Sequence, residues 1–223
     1  MISFSCGAVL FDLDGVLVDS SVVVERHWRR WASRSGVPFE RVAALVHGRR
    51  SFEVIRAVAP HLDCAEEGRR HDAEEGVDTD GLAVIDGAQA LLEKIPPSAW
   101  AVVTSGDLLT ASTRLRYGGF LRPHVLVTAD DVRHGKPAPD CYLLAAERLG
   151  VAPANCLVIE DAPAGVEAAR AAGMRTVAVV TTHAPVDLGR ANATVQRLSD
   201  IQIREEEKRL SIRVVSRPDP RRG

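Results

Sequence analysis

No apolar run in this chain of 223 residues comes near the roughly 20 that a helix needs to cross a bilayer. No basic region precedes the first apolar stretch and no cleavage site follows it, which argues against a secretory leader and for a cytoplasmic protein. The four cysteines, Cys6, Cys64, Cys141 and Cys156, include no CxxC pair and match neither a zinc site nor a disulfide framework. They are expected as reduced, mostly buried thiols. Charge of one sign is not in excess. A formal net charge of −2 offers no basic surface for nucleic acid or an anionic membrane. The pairs Arg49-Arg50, Arg69-Arg70 and Arg221-Arg222 are short and read as solvated faces. Internal repeats and low-complexity blocks are absent as well.

What remains is an ordinary globular composition, 46% hydrophobic and 26% charged, long enough for one sizeable core and a smaller second unit. Strand-like runs rich in β-branched residues fall at 7–11, 99–104, 124–128, 156–160 and 175–180, with helical patterns between most of them. That alternation predicts an α/β fold, a Rossmann-like doubly wound parallel sheet. Between Val18 and about Gly87 no strand is expected. Ser20 or Ser21 is placed to cap a helix carrying Val24, Trp28 and Trp31 on one side. Further helices are expected at about 39–46, 51–59, 65–75 and 88–94. The predicted organisation is a catalytic core over 1–18 and 85–200, an all-helical cap inserted over 19–84, and a C-terminal hairpin with a loose tail over 201–223.

The chemistry concentrates at the strand ends. Asp12 and Asp14 are two apart, so they share a face where the first strand stops, and Gly15 follows at once. That is where open α/β sheets bind ligands, and buried charges there need a cation or proton to offset them. Thr104-Ser105-Gly106 ends the second run and suits an anionic oxygen, though alone such a segment is more often a turn. Lys136 sits in an extended loop stiffened by Pro137 and Pro139, and alone it reads as a surface lysine. Glu160-Asp161 ends another strand and reads either as a metal site or as a helix cap. Together, carboxylates, a lysine and a hydroxyl in one cleft call for a hard cation such as Mg2+ and for phosphate oxygens. That composition points to phosphoryl transfer onto an aspartate. The scattered His27, His61, His71, His124, His134 and His183 form no metal pair and read as surface or partly buried residues.

On these motifs the chain resembles the haloacid dehalogenase superfamily, in its phosphatase branch with a helical cap. The four family motifs occur in order as Asp12-Leu13-Asp14-Gly15-Val16, Thr104, Lys136 and Glu160-Asp161. Within it, His47-Gly48-Arg49, Trp100 to Gly106, Val127 to Val132 and Glu160 to Gly165 resemble the group of glycerol-3-phosphatases, 2-deoxyglucose-6-phosphatases and hexitol or sugar-phosphate phosphatases. The resemblance implies Mg2+-dependent hydrolysis of a small phosphorylated sugar or polyol by a monomer. It implies Asp12 as nucleophile and Asp14 as proton donor and acceptor. Asp12, the Asp14 carbonyl and Asp161 would hold the metal, with Glu160 a direct or water-mediated ligand. Lys136 would orient Asp12, and Thr104, Ser105 and Gly106 would bind phosphate oxygens. His47 and Arg49, at a break between cap helices, are the candidates to face the substrate.

Two alternatives stay open. A phosphomutase of the β-phosphoglucomutase type carries a histidine shortly after the hinge, where this chain has Val24. A catalytically silent binding protein on the same fold would have no need of both Asp12 and Asp14. Phosphonatase chemistry needs a cap lysine, and residues 20–84 contain none. Dehalogenation has no use for Asp14.

Overall fold

Gly7 separates two strands with different partners, of which the apolar run at 7–11 predicts only the second. In the computed structural model, which describes residues 2–206 and 209–215, β1 (Ile2–Cys6) and β2 (Ala8–Phe11) lie in separate sheets. Beyond β2, the two-residue strands β3 (Val18–Asp19) and β4 (Ala83–Val84) pair antiparallel, Val18 opposite Val84 and Asp19 opposite Ala83. No strand was expected here, because two residues carry no readable period. The chain between them is helical: α1 (Ser21–Ser35), α2 (Phe39–Ala43), α3 (Ser51–Val58) and α4 (Cys64–Glu75). The stripe on α1 buries Trp28 and Trp31 against Val42, Val54, Ile55 and Val58, a cluster separate from the rest of the core. The two indoles meet edge to face at 5.5 Å, and Trp31 Nε1 donates to Glu67 Oε2 at 2.9 Å, tying α1 to α4.

The main sheet is parallel throughout. It joins β2 to β5 (Trp100–Val103), β6 (Val125–Val127), β7 (Cys156–Glu160), β8 (Arg175–Val179) and β9 (Ala193–Val195) in the order β6-β5-β2-β7-β8-β9. Each expected run supplies one strand, and β9 adds a three-residue edge too short to stand out in the sequence. Between strands lie α5 (Ala88–Leu92), α6 (Leu108–Tyr117), α7 (Asp140–Leu149) and α8 (Pro163–Ala171). β2, β5 and β7 are buried along their whole length, as strands covered on both faces must be. Strand order reverses at β2, so the crevice of a doubly wound sheet opens at its carboxyl end.

The C-terminal hairpin forms with β10 (Ile201–Glu206) and β11 (Arg209–Val214), Ile203 opposite Ile212. β11 also pairs antiparallel with β1, making a three-stranded sheet with β11 at its centre. Ile203, Leu210, Ile212 and Val214 join Phe4 and Cys6 in the same apolar cluster as β2 and β5. The tail expected to be loose lies outside the described residues. Among the described residues no helix is long and apolar enough to cross a membrane, and the four cysteines are free thiols, all but Cys64 buried.

Candidate active site

The sheet ladder carries on one residue past β2: Asp12 N donates to Ile159 O at 3.0 Å, which fixes the backbone of the first acid between two strands. Its side chain is buried. Lys136 Nζ, 1% exposed, donates to Asp12 Oδ1 at 2.6 Å, Glu160 Oε1 at 2.8 Å and Val103 O at 3.3 Å. All three of its protons are thereby spent, on acceptors from three strand ends. Lys136 is no surface lysine. Burial works against its charge, yet Asp12 and Glu160 hold it well above the ordinary lysine value.

Glu160 has four donors. Oε1 accepts from Lys136 and from Tyr142 OH at 2.9 Å, and Oε2 accepts from the amides of Asp161 at 2.8 Å and Ala162 at 2.9 Å. Burial alone would raise its pKa, but the Lys136 charge and these hydrogen bonds keep it below the ordinary carboxylate value. The packing there is close enough to dictate sequence. A Cβ on Gly165 would lie 1.5 Å from Glu160 Oε1. With these four donors in place, Glu160 stands behind Lys136.

Carboxylate oxygens of Asp12, Glu160 and Asp161 lie within 4.8 Å of one another, all buried. Asp161 Oδ2 accepts from Thr182 Oγ1. Gly15 makes room for it: its φ is +78°, and a Cβ there would lie 2.0 Å from Asp161 Oδ2. Burial, with the charges of Glu160 and Asp12, pushes Asp161 well above the ordinary value, and burial pushes Asp12 up despite Lys136. One lysine therefore does not balance these acids. The all-oxygen, under-compensated donor set fits a hard divalent cation.

Asp14 faces the same cleft with both oxygens engaged. Ser20 Oγ donates to Oδ1 at 2.7 Å and Arg114 Nη1 to Oδ2 at 2.7 Å. Ser20 precedes α1 but makes no side-chain cap; its hydroxyl is spent on Asp14, a correction to the capping expectation. The other arm of Arg114, Nη2, donates to Glu75 Oε1 at 2.7 Å, and His71 Nε2 lies 3.0 Å from Glu75 Oε2. The isolated-histidine reading is corrected here also. His71 and His27 are buried, His71 against Glu75 and the Trp28 ring, and His27 Nε2 2.8 Å from Asp78 Oδ2. Their partners lie on other turns or elements, which histidine spacing does not reveal. Arg114, Glu75 and Tyr142 were missed altogether.

On the remaining wall, Thr104 is buried and its Oγ1 accepts from Gly106 N at 3.0 Å. Ser105 Oγ donates to Gly48 O at 2.9 Å, joining the end of β5 to the helical insert. His47 and Arg49 line the cleft together with Val24 and Trp28. The His47 ring packs 5.4 Å from that of His183, and burial together with that neighbour lowers its pKa. Arg50 is not a solvated face. It pairs with Glu53 and donates to Val132 O at 3.2 Å and Arg133 O at 3.1 Å, across to the sheet side. The cleft is open to solvent and is lined from both the sheet unit and the helical insert.

A family model described as haloacid dehalogenase-like hydrolase matches residues 6–173. The chain is a haloacid dehalogenase-like hydrolase. This hydrolase is 44% identical to hexitol phosphatase A of Escherichia coli over 192 residues, covering 84% of the chain and 88% of that protein. It is 33% identical to glycerol-1-phosphate phosphohydrolase 2 of Saccharomyces cerevisiae over 193 residues, covering 81% and 77%. Among solved structures, a hydrolase from Pseudomonas syringae superposes with a TM-score of 0.79 at 27% identity, covering 86% of this hydrolase and 94% of that chain.

Proposed function

We propose that this hydrolase releases phosphate from a small sugar- or polyol-phosphate monoester, with Mg2+ as cofactor and an aspartyl-phosphate as intermediate. The observation that carries the reading is Lys136 Nζ, buried and 2.6 Å from Asp12 Oδ1, facing a cluster of three buried carboxylates. The substrate class rests on the relatives named above.

In this reading Asp12 attacks phosphorus in line while the ester C–O oxygen departs. Asp14, protonated for this step, hands its proton to that oxygen, so the alcohol leaves neutral. Asp14, now a carboxylate, takes a proton from the water that attacks the aspartyl-phosphate, which releases phosphate and restores Asp12. Lys136 holds Asp12 at a fixed angle and adds positive charge opposite the incoming phosphate, and Glu160 holds Lys136. The Thr104 hydroxyl and the Ser105 amide would donate to a non-bridging phosphate oxygen, with Gly106 N holding Thr104 Oγ1 in place. Asp12, the Asp14 carbonyl and Asp161 would hold Mg2+, with Glu160 a further ligand, direct or through a water. When bound, the ion offsets repulsion between anionic nucleophile and anionic substrate. His47 and Arg49 stand where the leaving alcohol enters. Val24 occupies the place where a mutase would carry its gating histidine, which favours water as the final acceptor. The cleft is walled by one chain, so a monomer suffices.

The test is phosphate release over a panel of sugar and polyol phosphates, with and without Mg2+. Turnover should require the ion, and Asp12→Asn should lower it by at least about 10³-fold. Isomerisation of β-glucose-1-phosphate without phosphate release would replace hydrolysis by mutase action. A folded protein that turns over none of the panel would leave a binding protein.

A further inference from the structure

We propose that Arg114 is a positioning residue for Asp14, and that Glu75, on the helical insert, sets its pose. The proposal rests on the acid–base role given to Asp14 above. Arg114 lies on α6, part of the sheet-bearing unit, and its side chain is 5% exposed. Its guanidinium bridges two carboxylates at 2.7 Å each, Asp14 on one side and Glu75 on the other. An arginine almost fully out of water is costly unless its donors are matched, and here two of its nitrogens are. Asp14 has two side-chain donors, Arg114 on Oδ2 and Ser20 on Oδ1, so neither oxygen is left to turn freely. Ser20 sits at the root of the helical insert and Glu75 at the end of α4. Both restraints on Asp14 therefore depend, directly or through Arg114, on the insert being seated. A planar fork held at one end by Glu75 presents its other arm in one direction only. The acid–base group is thus aimed by contacts that exist when the insert covers the cleft, and a displacement of about 1 Å at a reacting group is costly in rate.

A leaving-group comparison tests this. An alkyl phosphate such as glycerol phosphate expels a poor leaving group that needs a proton, whereas p-nitrophenyl phosphate does not. In Arg114→Gln, kcat/KM for the alkyl ester should fall on the order of 10²-fold, and that for the nitrophenyl ester by less than about threefold. The ratio of the two is read on one preparation, so a partly unfolded variant leaves it unchanged. Arg114→Lys should recover part of the ratio, and Glu75→Gln should shift it in the same direction by less. Equal losses on both esters in Arg114→Gln, with Asp14→Asn shifting the ratio, would overturn the positioning role and leave the acid–base reading intact. An unchanged ratio in Glu75→Gln would overturn the part assigned to the insert. An unchanged ratio in Asp14→Asn would remove the acid–base reading, and this proposal with it.

Discussion

Glu160 is fully buried and accepts from a lysine, a tyrosine and two backbone amides. The glycine one turn into α8 exists to let that happen, since any side chain at Gly165 would occupy the carboxylate's space. Gly165→Ala should displace Glu160 from Lys136. The expected outcome is a loss of at least about tenfold in kcat, from mispositioning of a group near the chemistry. A loss of about 1–3 kcal/mol in urea-unfolding stability should accompany it, from unpairing a buried carboxylate. Unaltered kcat would show that Lys136 does not need Glu160. At this scale much was legible. A period of two put Asp12 and Asp14 on one face, and Glu160-Asp161 stood out as a polar pair ending an apolar run, whereas Lys136 was legible only in company with them. Arg114 did not stand out. In Thr113-Arg114-Leu115-Arg116 it sits two residues from another arginine in the same last turn of α6. Nothing in that pattern says which of the two turns inward, and its partners lie 100 and 39 residues away.

The hairpin strand β11 shows how an element can matter to the fold and not to the reaction. It is the middle strand of its sheet, and Ile212 and Val214 are wholly buried in the main core. β1, its other neighbour, enters β2 from the end opposite Asp12. Ile212→Ala should cost about 2–5 kcal/mol in denaturant unfolding, by lost burial and the cavity left behind. kcat at zero denaturant should stay at the parent value, and a fall in kcat without a fall in stability would contradict this division. The hairpin was readable because Ile201, Ile203, Ile212 and Val214 alternate with polar residues, the signature of a sheet with one wet face. What could not be read was its partner. β1 alternates Ile2, Phe4 and Cys6 with serines and lies ahead of the run at 7–11, so the sequence predicts only β2 there and no strand for β11 to pair with.

Two half-buried acids on α4, Glu75 and Asp72, contribute to the pH response of the molecule with opposite signs. Burial would raise Glu75, but His71 and Arg114 bring it down to about 2. A folded-state value below the ordinary 4.5 means that its contribution is complete above pH 4.5 and is lost as pH falls toward 2. Asp72 has the opposite sign. Burial lifts it to about 6, so its charge costs stability above that pH, and the cost is relieved as pH falls toward 3.8. Stability from these two groups should therefore peak between about pH 3.8 and 4.5 and fall as pH rises toward 6, followed by urea midpoints across a pH series. Glu75→Gln should flatten the acid limb, and Asp72→Asn should raise stability at pH 7. An acid limb that is unchanged in Glu75→Gln would show that other carboxylates carry it.

The two-residue ribbon of β3 and β4 has a consequence for ancestry and engineering. The chain leaves the sheet unit at Asp19 and returns at Ala83, and these two residues face each other. A segment whose ends are neighbours places almost no topological demand on what is threaded between them. The ribbon is thus a natural splice point: a different set of helices, begun and finished on the same two rungs, could be exchanged as a cassette while Asp12, Lys136, Glu160 and Asp161 stay untouched.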